Sequence, residues 1–175
     1  MKNIILVVSL LLFNMHCMCQ SVTFMGTDID QSFISFNRSI SPKLTFDSET
    51  STCTSYIGTF AGISFCNIQV IPSSLNKVQK VIVIKRGLKS DVINSLISSY
   101  TSKYGTPHQT FNSTFQEKPT NVQNTAAHYC YKVGVHKIEI EVVYYVAGGS
   151  FLKISYFPKG YVNDSSNVRI NSSDI

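Results

Sequence analysis

The stretch that most limits what this chain can fold into is residues 90–105, SDVINSLISSYTSKYG, which carries helix signals from start to stop. Ser90 or Asp91 is placed to cap the first turn, and Val92, Ile93, Leu96, Ile97, Tyr100 and Tyr104 recur three or four apart on one stripe. Gly105 can take the left-handed conformation that ends a helix, and Pro107 forbids its continuation. A helix with one apolar stripe must bury it, and each side chain gains about 1.5–3 kcal/mol when fully covered. The flanking segments alternate or run apolar at strand length, so the layer beneath the helix is a sheet.

Upstream, residues 22–25 predict a short strand and 26–30 a turn into a second helix. Asp28 or Asp30 is the expected cap there, with Phe33, Ile34 and Phe36 facing inward until Ser41-Pro42 stops the helix. Strands are expected at 43–46, 53–60, 63–71 and 78–85, with a polar loop at 47–52 and a hairpin turn at Ala61-Gly62. The run Val81-Ile82-Val83-Ile84 predicts a strand covered on both faces.

Downstream come a weak strand at 109–115, a polar loop at 116–125 holding Pro119, and strands at 127–133, 135–146 and 151–157. The clearest alternation is in 135–146. His136, Ile138, Ile140, Val142, Tyr144 and Val146 face one way, and Lys137, Glu139 and Glu141 the other. Matching the apolar faces of the last two strands sets Tyr144 opposite Ile154 and Tyr145 opposite Lys153.

The expected fold class is α+β, an antiparallel sheet with two helices packed on one face. The order helix then about four strands occurs twice, which suggests a tandem repeat with halves near 22–86 and 87–158 inside one domain, 20–158. Residues 1–19 read as a signal peptide: Lys2, an apolar run from Ile4 to Phe13, and Cys17 and Cys19 before a cleavage point at Gln20. Residues 159–175 are Asn- and Ser-rich without periodicity and read as a mobile tail. The chain is therefore expected to be exported, periplasmic or extracellular, and not an integral membrane protein, since no later apolar stretch approaches the ~20 residues of a spanning helix. Its formal charge of +5 is spread out except at Lys85, Arg86 and Lys89, unlike the dense basic stripe of a nucleic-acid binder.

Chemistry is sparse. His128 and Cys130 share a strand face, so a cysteine nucleophile with an imidazole base, His128 or His136, is conceivable, but no third group orients the base. The favoured reading is a sheet thiol with two surface or edge imidazoles. His108, His128, His136, Cys53, Cys66 and Cys130 lack the paired spacing of a zinc site, and Asp28 and Asp30 are too few for a calcium loop. Glu139 and Glu141 stand about 7 Å apart on one face. Lys137 and Lys153 can neutralise them, and that reading is preferred to a hydrolase pair. No catalytic residue, metal site or cofactor is assigned. For the three mature cysteines the all-reduced state is favoured: a tight turn at Ala61-Gly62 pairs Cys66 with Ile57 and Cys53 with Val70, too far apart for a disulfide, whereas a wider loop over 58–61 would set Cys53 opposite Cys66, the alternative being that disulfide with Cys130 free.

Three stretches also carry a resemblance. Phe24-Met25-Gly26-Thr27-Asp28-Ile29-Asp30 before a helix, Gly58-Thr59-Phe60-Ala61-Gly62 in a hairpin and Lys103-Tyr104-Gly105-Thr106-Pro107 ending a helix resemble a family of small exported proteins of unknown function from Gram-negative bacteria. The doubled layout is similar to the β-lactamase-inhibitor-protein fold, which implies protein binding. The expected function is thus an exported, non-catalytic interaction module for an unknown protein or cell-envelope component. Tyr129, Tyr131, Tyr145 and Lys153 are its candidate contacts, Tyr offering amphipathic area. The alternative is an envelope hydrolase acting on sugars or peptides.

Overall fold

The computed structural model describes residues 22–117, 122–146 and 148–160. The expected signal peptide, Pro119 in the expected loop and the tail beyond residue 160 lie outside them. Two-residue strands β1 (Thr23–Phe24) and β2 (Thr27–Asp28) form a small hairpin. Its turn residues Met25 and Gly26 both have positive φ, 51° and 80°, the type I′ pattern that suits strand twist. Then follow α1 (Phe33–Ile40), a 3-10 turn (Ser41–Lys43) and the strands β3 (Thr45–Glu49), β4 (Thr54–Phe60), β5 (Ile63–Pro72) and β6 (Val78–Arg86). After α2 (Ser90–Tyr104) come β7 (Gln109–Glu117), β8 (Val122–Val133), β9 (His136–Tyr144) and β10 (Ser150–Phe157). The class is α+β. One eight-stranded sheet runs β3-β4-β5-β6-β10-β9-β8-β7, with antiparallel neighbours throughout.

Both helices form where expected, with different caps. At α1 it is Ser32 whose hydroxyl accepts from the Ser35 N–H at 3.2 Å. Asp28 is spent on a local turn, accepting from the Asp30 N–H at 2.9 Å. Phe36 and Ile40, four apart, face the core; Ile34 is 56% exposed, so the inward assignment made for it does not hold. At α2 the cap position is Lys89, without a side-chain hydrogen bond; Ser90 already belongs to the helix and Asp91 sits in its positive first turn. Ile93, Leu96 and Tyr100 are buried, Ile97 and Tyr104 pack partly against the core, and Val92 is exposed. Gly105 has φ 84° and its N–H reaches the Thr101 carbonyl at 2.9 Å, the stop that the sequence announces.

Register corrects three expectations. The Ala61-Gly62 turn is the tight one, with φ 49° and 79° and Phe60 opposite Ile63. Two residues of β5, Ser64 and Phe65, then oppose only Thr59, with Phe65 left-handed at φ 56°, and this bulge moves Cys66 from Ile57 to Gly58. Thr54, not Cys53, pairs with Val70, so Cys53 and Cys66 stand five rungs apart, roughly 16 Å at strand rise. All three described cysteines are free. In the last hairpin Ile154 pairs with Ile140 and Tyr144 with Ser150, four positions from the expected register, because the loop opens at Tyr145 rather than two residues later. Four is an even shift, so the faces survive. Finally β8 begins at Val122, within the segment expected to be loop, and β3 continues past the bulge between Phe46 and Ser48 to Glu49.

One apolar cluster collects Phe24, Phe36 and Ile40 with Ile93, Leu96 and Tyr100, and with Ile68, Val70, Val81, Val83, Ile138, Ile140, Val142, Leu152, Ile154 and Tyr156 from the sheet. Register puts these sheet residues on one side, the apolar face. The Tyr100 and Tyr156 hydroxyls hydrogen-bond each other inside the cluster, and burial pushes the Tyr156 hydroxyl well above its usual range.

Candidate interaction surface

Residues on the other side of the sheet stay outside that cluster even where they are buried. Two adjacent rungs define this polar face. One runs Ile82, Ser155, Glu139, Cys130, Gln109, and the next Ile84, Lys153, Glu141, His128, Phe111. Period-two alternation in β6, β8, β9 and β10 puts these side chains together.

The charges pair across strands and along them. Lys153 Nζ meets Glu141 Oε2 at 2.9 Å and Lys137 Nζ meets Glu139 Oε2 at 3.2 Å, the neutralisation expected for these carboxylates. Glu141 is buried rather than on an exposed sheet face, at 9% exposure. His128 Nδ1 lies 3.6 Å from Glu139 Oε1, its Nε2 is 2.8 Å from the Ser113 hydroxyl, and its ring stacks on Phe111 with centroids 4.4 Å apart. At the end of the face the Phe157 ring has Lys80 Nζ 5.0 Å and Lys137 Nζ 5.2 Å from its centroid. Among the described residues no carboxylate lies within ion-pair distance of Lys80. Burial, and then the like charge of Lys153, push its amine down to about 8.

Of the contacts named from sequence, only Lys153 stands among these charges. Tyr131 is fully buried, its hydroxyl 3.1 Å from Thr101 Oγ1 and its ring centroid 6.0 Å from that of Tyr100, so its area is spent inside the core. Tyr129 packs partly against the core from the apolar face, and Tyr145 is half-buried in the β9–β10 loop. Lys80, Phe157 and Phe111 were missed. The alternation of β10 and its pairing with β6 were the signals that could have found the first two.

Among the described residues no side-chain hydrogen bond joins Cys130 to His128 or His136, although Glu139 stands 3.6 Å from His128 Nδ1, a third group not expected from the sequence. Burial and the Glu139 charge push the Cys130 thiol up, away from the reactive thiolate. His136 is buried with its Nε2 2.9 Å from Asp30 Oδ2, while the Lys159 N–H donates to Asp30 Oδ1 at 2.9 Å. Burial pushes the Asp30 carboxyl up, but the Lys159 amide and His136 outweigh it and hold the group below the usual carboxylate range. Clefts among the described residues open to solvent elsewhere. One of about 770 Å³ lies between α2 and the β4–β5 hairpin, over Leu96, Tyr100 and Tyr156; one of about 290 Å³ is lined by His108 and His136. Neither takes in His128, Cys130, Glu139 or Glu141. Among the described residues no three His, Cys, Asp or Glu side chains are placed to hold a metal, and no helix is long and apolar enough to cross a membrane. No family model, curated protein or solved structure matches the chain.

Proposed function

We propose that this chain is an exported, non-catalytic interaction module that docks a protein or cell-envelope component on the polar face of its sheet. In this reading both helices cover the apolar face, each at the head of a helix-plus-four-strand half, and the polar face is left to a partner. The sheet order, in which β3 to β6 run inward from one edge and β10 back to β7 run outward to the other, supports the doubled layout.

The observation that carries the proposal is Lys80. It holds a half-buried amine against an aromatic ring, on a face where Lys137 and Lys153 have carboxylate partners and it has none among the described residues. A group kept in that state loses more by desolvation than the charges of Glu139 and Glu141 return to it, and a docking carboxylate in direct contact would supply the rest. With Lys80, Lys137 and Lys153 against Glu139 and Glu141, the face favours an acidic partner surface. The test is capture from a cell-envelope extract on the immobilised chain, alongside Lys80→Glu. The reading expects a captured species that the variant loses while keeping the wild-type circular dichroism. Equal capture by both chains overturns it.

The hydrolase reading keeps one observation, the nearness of His128, Glu139 and Cys130 on neighbouring rungs. Peptide or sugar hydrolysis that Cys130→Ala abolishes would replace the first reading with this one.

A further inference from the structure

The two edges of the sheet end differently. β3, at one end, is five residues long, shifts register between Phe46 and Ser48, and bears Asp47 and Glu49. Shortness, irregularity and charge are the devices that keep a strand edge from pairing with another chain. β7, at the other end, is neither short nor irregular. Its nine residues pair with β8 one for one, from Gln109 opposite Cys130 to Glu117 opposite Val122. It holds no proline, lysine or arginine, and its single acidic position is the last. Residues 109–114 and 116 are exposed, and among the described residues no strand pairs with its outer edge.

In its sequence, QTFNSTFQE, Phe111 and Phe115 stand two residues either side of Ser113, on the same face of the strand. We propose that β7 joins two copies of this chain, strand against strand and antiparallel, with Ser113 facing Ser113 across a two-fold axis. In that register each Phe111 lies opposite the other copy's Phe115, Asn112 opposite Thr114, Thr110 opposite Gln116, and position 117 opposite Gln109 rather than its own like charge. A slip of one residue sets the polar face of one copy beside the apolar face of the other, and a slip of two separates the aromatic pairs. The correct register continues the sheet from one copy into the next and keeps both polar faces on the same side. Nine residues of edge make a small interface, so association is expected at micromolar concentration.

Sedimentation of the purified chain over a concentration series tests this. Ser113→Lys and Ser113→Glu each bring like charges together at the axis, while the exposed position tolerates either side chain in the single copy. Each variant should weaken dimerisation by at least about tenfold, and an equimolar mixture of the two should restore it. Ser113→Ala, which removes only the hydroxyl that meets His128, should dimerise like the wild type. Ser113→Cys should form a disulfide-linked dimer on oxidation, since Cα atoms directly opposite in antiparallel strands lie about 4.5–5.5 Å apart; this reads the same register should the charged variants fail to fold. A wild type that stays monomeric to millimolar concentration, a dimer that survives Ser113→Lys, or a folded Ser113→Cys that does not cross-link overturns the proposal.

Discussion

The two faces of the sheet are made from the same strands by the same alternation, yet they solve burial in opposite ways. On the apolar face Ile138, Ile140, Leu152 and Ile154 are at most 2% exposed, and helical side chains join them. On the polar face Glu141 and Ser155 are buried and Glu139, Lys153 and Lys80 partly so, outside that cluster. The first face gains from excluding water. The second confines charge beside neighbouring strands, which is tolerable only where each charge has a partner. Alternation assigns a residue to a face, whereas what the face is for depends on which groups remain unpaired.

Mutations should separate the faces sharply. The largest expected effect is that of Ile140→Asp, which inserts an unpaired charge into the apolar cluster and should cost roughly 3–5 kcal/mol, read by urea unfolding. Tyr156→Phe leaves the buried Tyr100 hydroxyl without its partner and should cost about 1–3 kcal/mol in the same assay. On the polar face Glu141→Gln keeps the shape but strips Lys153 of its counter-charge, for a smaller loss of about 1–2 kcal/mol. Near-equal losses for Ile140→Asp and Glu141→Gln would erase the distinction between the faces.

Lys80 should show the opposite sign. Its amine titrates near 8 in the folded chain and near 10.5 when unfolded. Between those values the unfolded state binds more protons, so the group's contribution makes stability rise with pH from about 8 to 10.5. Lys80→Met should remove that rise and be more stable than the wild type at pH 7, as measured by denaturant unfolding across the pH series. A slope unchanged by the substitution would place the amine in water. The smallest effect is expected of Glu139→Gln, within about 0.5–1 kcal/mol, because its contacts lie on the partly exposed side of the face.

The strands and the major helix were legible because their signals are local. The stripe of α2, the Gly105 stop and the alternation of β9 each need only a few neighbouring residues; the stop appears as read, the stripe does so except at Val92, and the alternation holds from His136 to Val142 but not at the exposed Tyr144 and Val146. Register was less legible. The bulge at Ser64 and Phe65 places an aromatic residue at φ 56°, a conformation with no sequence signature at a non-glycine position, and it moves Cys66 by one partner. Caps were misassigned between neighbours of similar chemistry, since Ser32 and Asp28 can both accept a backbone N–H and only the chain's path decides which does. The candidate surface was least legible. Tyr131 reads as an amphipathic contact until α2 lies over it, and Lys80 reads as an ordinary surface lysine until β10 is paired with β6. That pairing joins segments some seventy residues apart, beyond the reach of any periodicity.

The claim that the polar face is the docking surface is tested most directly by photo-cross-linking from defined positions in a cell-envelope extract. A photoreactive side chain is placed in turn at Lys80 and Phe111 on the polar face, and at Arg38 and Ser98 on exposed positions of the two helices. One envelope component should be cross-linked from positions 80 and 111 and not from 38 or 98. Cross-linking of that component from the helix positions, with none from the polar face, would contradict the claim.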